Sequence, residues 1–579
     1  MRFLVRIADG ARRYLAKLRP LAPVVRRFAG SDAARWAVAL AIALPALYWV
    51  VLSTWVASYN GMGRDQGTFH YSGWALRHGD RLYRDARDAN GPMGAYVHCL
   101  FLMLGGADDH VFRSLELGTS SLVFALVGFL LPGFVLRSGT TTEQSEKPSW
   151  LVRSCWALAF WILLSAQYEL YNFWTQAQRD GYGLWFILPG YLAQVVGHVL
   201  TAERRRERLA QWLLLLSGFL VATSCLAKPT MLLFAFPQML AVLVDTELAG
   251  RRKQLLGRLC LGMLGAAVFH FLLLALVGSP IEFLRISFVD VPRFYPYIWA
   301  KGRNVIMNAY PVSWSLVISA AFLGMIAMGQ LPRRFVAIGL GGLVGLASLL
   351  IQNKGFEYHY QPLSAFMWLQ GGLLALWLSE TCLPEKHLRA IPLAGVLVLA
   401  FLSVDVATKS PQLAHLDFLD RFATPQSRKT DQFYNNFNNG SYQSGDLHHA
   451  AEYVKAHTKP TDRVFHWGID PYVFFLAERK AATRYVAAGW ELNMTAALAG
   501  APTPARAKII MDHQLQQAKE LARELAAQPP AALVIMDGLY WGPDGWADLQ
   551  KWCPEAGKFL KERYIETIRF GKARLFFPK

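Results

Sequence analysis

The sequence predicts a polytopic α-helical membrane protein that ends in a polar α/β domain, and three observations carry the prediction. Of 579 residues, 54% are hydrophobic and only 17% are charged, with 19 Trp, a balance too apolar for an ordinary soluble enzyme of this length. Apolar runs long enough, or nearly so, to cross about 30 Å of hydrocarbon recur through the first two thirds of the chain. After Val404 they stop, and the remaining sequence alternates helical and strand patterns.

About eleven spans are implied by the apolar runs. In order they are Trp36 to Ala57, Leu117 to Leu136, Leu151 to Ala166, Gly183 to Leu200, Leu209 to Ala227, Met231 to Val244, Leu255 to Val277, Val312 to Met328, Phe335 to Ile351, Leu363 to Leu378 and Ile391 to Val404. Met231 to Val244 and Ile391 to Val404 fall short of the usual length of roughly twenty residues, so they need flanking residues, tilt or a thin bilayer.

Lys and Arg in short loops concentrate on the cytoplasmic side, and alternate loops here hold every dense basic cluster. These are the N-terminal arm from Arg2 to Arg27, Arg137 with Lys147, Arg204-Arg205-Arg206 with Arg208, Arg251-Arg252-Lys253, Arg333-Arg334, and Lys386 with Arg389. The division expected is a basic cytoplasmic arm (1–35), a membrane domain (36–407) with a long first outer loop (58–110), a linker or outer loop (408–445), and an extracytoplasmic α/β domain (446–579). The location implied is a bacterial-type inner (plasma) membrane. The net charge of +18 is then a matter of orientation and anionic headgroups, which excludes a nucleic-acid partner. The arm has no uninterrupted apolar core before a small-residue cleavage site, so it does not read as a removable signal peptide. The cysteines at 99, 155, 225, 260, 382 and 553 show no paired spacing and read as packing residues.

In the tail, the pattern predicts helices near Leu447 to His457, Asp470 to Ala477, Ala505 to Ala527 and Ala547 to Lys558. Strands are expected at Arg463 to Trp467 and Ala532 to Met536, with a closing pair around Tyr564 to Phe577. Gly468 and Gly538 come after apolar strands but belong to no GxGxxG fingerprint, so an accessory or acceptor-recognition domain is the better reading. Thr424 to Gly445, rich in Asn, Gln and Ser, reads as a linker or mobile outer loop.

Charged residues in the outer loops are the candidate site. Asp65 comes after the first span, flanked by Arg64, with Tyr59, Gly61 and Gly63 beside it. A carboxylate there suits a general base, and it equally suits an N-cap for the segment Thr68 to Arg77. The second outer loop carries Glu169, Arg179 and Asp180 among Tyr168, Tyr171, Phe173 and Trp174, a mixture suited to sugar hydroxyls and ring faces. Asp180 is a metal ligand, an acceptor-orienting group or a helix cap; neither loop has a DxD pair, which leaves metal dependence open. Cations that run against the positive-inside bias are candidates for phosphate: Lys228, then Arg285, Arg293, Lys301 and Arg303 in the third outer loop, then Lys354 with Tyr358 and His359. The alternative for Lys228 and Lys354 is snorkelling from a helix end.

The charged N-terminus, Asp65 in a long first outer loop, the Asn90-Gly-Pro92 element, and Lys354-Gly-Phe356 with Tyr358-His-Tyr360 together resemble the GT-C glycosyltransferases. The aminoarabinose transferases and protein O-mannosyltransferases are the nearest type. The resemblance implies a GT-C-like fold and an inverting transferase. Its donor would be a polyprenyl-phosphate sugar, its acceptor a glycan, lipid or protein, and its base the first-loop carboxylate; only Asp65 carries over. Gln66 stands where many relatives have a second acidic residue, and Asn90 where the aminoarabinose transferases have Lys, so donor identity and metal dependence do not transfer. The rival readings are a flippase of lipid-linked sugars and a noncatalytic subunit of a glycan-assembly complex. A transporter tends to hold charge at mid-membrane, where His270 is the main ionisable group.

Overall fold

In the computed structural model, the described residues are Leu44, Leu47, Tyr48, and residues 50–135, 150–169, 173–204, 206–381, 416–539 and 542–579. The basic arm, most of the first half of the first span, the Arg137 and Lys147 loop, Tyr171, Arg205, Cys382, the span Ile391 to Val404 with Lys386 and Arg389, and the start of the 408–445 segment lie outside them.

Seven helices among the described residues are long and apolar enough to cross a membrane: Asp109–Phe134, Arg179–Ala202, Glu207–Leu226, Thr246–Val277, Tyr310–Ala327, Arg333–Gln352 and Glu357–Ser379. The chain is a multi-pass membrane protein. Runs expected at Leu151 to Ala166 and Met231 to Val244 are helical too, with shorter apolar stretches at Trp156–Ser165 and Pro229–Val244. His270 hydrogen-bonds Thr223 through Nε2 across 3.0 Å, a helix-to-helix contact of a packing residue.

The segment expected as a long first loop contains two helices, α1 (Arg64–Arg77) and α2 (Met93–Gly105). They cross at Gly73, where an added Cβ would lie 2.6 Å from the Cys99 amide nitrogen, so the backbones touch. The next helices include α3 (Asp109–Leu130), α4 (Trp150–Glu169), α5 (Arg179–Ala202) and α6 (Glu207–Thr223). After them come α7 (Ala235–Val244), α8 (Arg252–Val277), α9 (Tyr310–Ala327), α10 (Val336–Gln352) and α11 (Gln361–Thr381). Helix α6 packs between α5 and α8, while α9 and α10 pack on α11.

The C-terminal α/β domain is built on a five-stranded sheet: β1 (Arg463–Trp467), β2 (Lys480–Ala481), β3 (Ala532–Met536), β4 (Tyr564–Phe570) and β5 (Ala573–Pro578). Its order is β2-β1-β3-β5-β4. β1 runs parallel to β2 and β3, whereas β5 is antiparallel to β3 and β4. All five residues of β3 are buried, as expected for a central strand covered on both faces. β4 forms the far edge, with a bulge between Glu566 and Ile568. The helix expected over Ala547 to Lys558 is two helices, Gly545–Trp552 and Pro554–Arg563, because Pro554 lacks the amide needed to continue the first.

This domain sits directly on α1. The Ala481 amide donates to the Tyr71 hydroxyl across 2.8 Å, the Tyr442 hydroxyl donates to the Met62 carbonyl at 2.7 Å, and a Cβ on Gly67 would lie 2.6 Å from that of Tyr472. Within the 424–445 stretch, Phe433, Tyr434 and Phe437 are buried in a cluster with Phe173 and Phe422.

Candidate functional site

Asp65 lies in the first turn of α1, whose N-cap is Gly63 with no side-chain cap. The carboxylate is therefore not the N-cap, the alternative its sequence context left open, although a negative charge in a first turn still complements the helix dipole. Partly buried, it accepts a hydrogen bond from the Tyr358 hydroxyl at 3.3 Å. Arg179, Lys228, Tyr295 and Asp88 are within its electrostatic reach.

These neighbours come from separate parts of the chain. Asp180, fully buried in the first turn of α5, forms an ion pair with Lys228. Lys228 is 5% exposed, donates to Gln352 Oε1 at 2.7 Å, and sits 5.1 Å from the centre of the Tyr358 ring. Burial pulls its ammonium down to about 8, with Asp180 opposing. The Asn90-Gly-Pro92 turn is seated against the same segment: a Cβ on Gly91 would fall 2.0 Å from the Leu226 carbonyl oxygen, room that only glycine leaves. Asp88 braces that turn by accepting from the Asn90 backbone amide at 2.9 Å and its side-chain amide at 2.7 Å. Burial pushes the Asp88 carboxyl up to about 6, with Asn90 and Arg179 opposing.

Lys354 donates to the Tyr295 carbonyl at 2.7 Å and to that of Ile298, with its Nζ 4.5 Å from the Tyr295 ring centre. It pins the 295–298 segment beside the cluster, and burial pulls it down to about 8. His359 is buried, and neither ring nitrogen has a hydrogen-bond partner. Its charged surroundings are Lys228, Arg179 and Lys354.

Other sequence candidates stand apart. Arg64 is engaged by Asp470 at 2.6 Å and 3.3 Å and by Ser441 at 3.2 Å. Tyr59 stacks on His110 at 4.2 Å, under Arg428. Arg293 meets His513 of the C-terminal domain at 3.3 Å. The Glu169 side chain is outside the described residues. The sequence named Arg179 beside Glu169 and Asp180 without giving it a role of its own, and it did not single out Asp88 and Tyr295 as site residues. Arg179 had a visible signal, a cation next to Asp180 in a loop expected on the outer side; Asp88 and Tyr295 had none beyond position in polar loops.

As chemistry, the cluster is a carboxylate with a phenol on it, a braced second carboxylate, and two cations in reach. It can take a proton from a hydroxyl and hold an anion beside it. Among the described residues, no group of three or more His, Cys, Asp or Glu could hold a metal ion.

No protein-family model matches the chain, and no curated protein matches it. Among solved structures, the chain is similar to ArnT from Cupriavidus metallidurans bound to undecaprenyl phosphate, at 12% identity and a TM-score of 0.47, covering 94% of this chain and 98% of that one. It is also similar to the oligosaccharyltransferase of Archaeoglobus fulgidus in the apo form, at 12% identity and a TM-score of 0.46, covering 91% of this chain and 73% of that one.

Proposed function

We propose that this chain is an inverting GT-C-type glycosyltransferase, moving a sugar from a polyprenyl-phosphate donor to a glycan, lipid or protein acceptor outside the cytoplasm. The observation that carries the reading is the contact of Asp65 with the Tyr358 hydroxyl inside a set that also holds Arg179 and the Asp180–Lys228 pair. The acceptor hydroxyl gives its proton to Asp65 as its oxygen bonds to the anomeric carbon. The bond from that carbon to the phosphate oxygen breaks, and its electron pair leaves on the polyprenyl phosphate. Lys228 and Arg179 meet that charge, Lys354 holds the Tyr295 to Ile298 segment in place, and Asp88 holds the Asn90 turn. The C-terminal domain, seated on α1, suits a role in presenting the acceptor.

Full-length protein in detergent, given radiolabelled polyprenyl-phosphate sugar and a lysate of envelope acceptors, should release free polyprenyl phosphate and label an acceptor. Asp65→Asn should not. Movement of the intact donor across vesicles without bond cleavage would replace this reading with that of a flippase.

A further inference from the structure

The Asp180–Lys228 pair bears on how the leaving phosphate is met, a role that rests on the transferase reading. We infer that Lys228 stands where a divalent cation would stand: its ammonium, anchored by Asp180 and Gln352, supplies the positive charge for the departing phosphate, and Asp180 is a lysine anchor instead of a metal ligand.

Several observations converge on this. Asp180 was the one residue the sequence offered to a metal, and one of its carboxylate oxygens is engaged by Lys228 Nζ. Both side chains are buried, at 0% and 6% exposure, so water does little to screen a second cation arriving at the same carboxylate. A lysine ammonium has three N–H donors. Asp180 and Gln352 take two of them, which leaves the third for a phosphate oxygen. The opposite oxygen of Asp180 is buried without a partner, yet one oxygen is a poor offer to Mg²⁺ or Mn²⁺, which take several hard oxygen ligands. The imidazole that could add to it, His359, has Lys228, Arg179 and Lys354 as cationic neighbours, which oppose a further cation there while Asp180 and Asp65 offset part of that charge. With no cluster of three acidic, histidine or cysteine side chains among the described residues, the donor set present does not fit a metal.

Two designs share the same bond changes. In one, a metal neutralises the phosphate and any nearby lysine is dispensable. In the other, the lysine is indispensable and chelators do nothing. Lys228→Met removes the charge while keeping much of the length, and Lys228→Arg keeps the charge.

The test has a binding arm and a turnover arm, both on the full-length chain in nanodiscs. Titrating Mn²⁺ by electron paramagnetic resonance should give the same profile for the wild type and Asp180→Asn. One equivalent of Mn²⁺ bound by the wild type and lost in Asp180→Asn overturns the inference without reference to turnover. In the second arm, wild-type transfer should be unchanged after EDTA, and Lys228→Met should lower it about 10²-fold or more, the usual scale for removing a group that stabilises developing charge. Transfer abolished by EDTA and restored by Mg²⁺ or Mn²⁺ overturns it, as does wild-type turnover in Lys228→Met. If Lys228→Met does not fold, Lys228→Arg decides: transfer within about tenfold of wild type and indifference to EDTA support the assignment, and EDTA-sensitive transfer refutes it. If the wild type neither transfers nor cleaves the donor, the transferase reading fails and with it the phosphate role, while the binding arm still decides whether Asp180 is a metal ligand.

Discussion

Arg64 and Asp65 are consecutive residues, as are Arg87 and Asp88, yet in each pair the arginine and the aspartate belong to different regions. Arg64 reaches Asp470, and Arg87 reaches Asp290 at 2.9 Å and Glu491 at 2.6 Å, so both arginines bind the seam where the C-terminal domain meets the membrane domain. Asp65 and Asp88 face Arg179 and the cluster around it. At the seam, buried carboxylates are matched by guanidinium groups. In the cluster, Asp180 Oδ1, Arg179 Nε and both nitrogens of His359 are buried without hydrogen-bond partners. One region uses charge to hold two domains together; the other keeps hydrogen-bonding capacity in reserve, as a site for a polar ligand does.

That difference is sharpest at Asp65. Asp65→Asn should lower transfer by about 10²- to 10⁴-fold while the thermal midpoint stays where it was; a matching loss of stability would move Asp65 to the seam's side of the comparison. Arg87→Met should do the reverse. It takes from Glu491, at 7% side-chain exposure, its ion-pair partner and leaves Asp290, at 1%, with Arg285 at 3.9 Å, and removing one partner of a buried ion pair destabilises by about 3–5 kcal/mol. Thermal unfolding in detergent should show the loss, and adding Asp290→Asn with Glu491→Gln should recover much of it.

Asp88 gives a prediction with a pH sign. Its carboxyl rises to about 6 on burial, above the roughly 3.9 of an unfolded aspartate, so the folded chain holds a proton that the unfolded chain releases. Stability from this group is full below about 4, falls as pH rises through 6, and is flat beyond. Melting curves between those values should show the fall in the wild type and lack this component in Asp88→Asn; a wild type and variant that run parallel would refute it. The smallest effect belongs to Tyr358→Phe, which deletes one long hydrogen bond to Asp65. With a net worth of about 0.5–1.5 kcal/mol for such a bond, initial rates should drop severalfold, and an unchanged rate would remove Tyr358 from the site.

Much of the fold was legible because it is local. The periodicity of apolar residues marks α3, α5, α6 and α8 to α11, and β1 and β3 stand out as apolar strand runs bounded by polar or turn residues. Helix α2 escaped because its 13 residues are too few to span and run from just after Pro92 into Gly105-Gly106, which read as loop. In the site, the position of Asp65 was legible and its neighbours less so. Arg64 looked like part of the site because it adjoins Asp65, but its partner lies 406 residues away, and no local pattern encodes that. Lys354 and Arg293 looked alike as outer cations; one folds onto backbone carbonyls and the other onto a histidine of the C-terminal domain. Side-chain partners of this kind are set by tertiary contacts, so composition and spacing name the residue types without naming the pairs.

The bulge in β4 has a consequence of another kind. As the last strand of the sheet, β4 offers a row of backbone groups that a strand from another copy would otherwise extend, and it carries an exposed Ile565. The break in register at Glu566 bends that row, and Glu566 is held by Arg574 at 2.6 Å and Arg569 at 3.4 Å. A second strand would have to strip water from those charges and straighten the bend before pairing. At this edge of the sheet the bulge and the charges therefore oppose strand-to-strand pairing between copies.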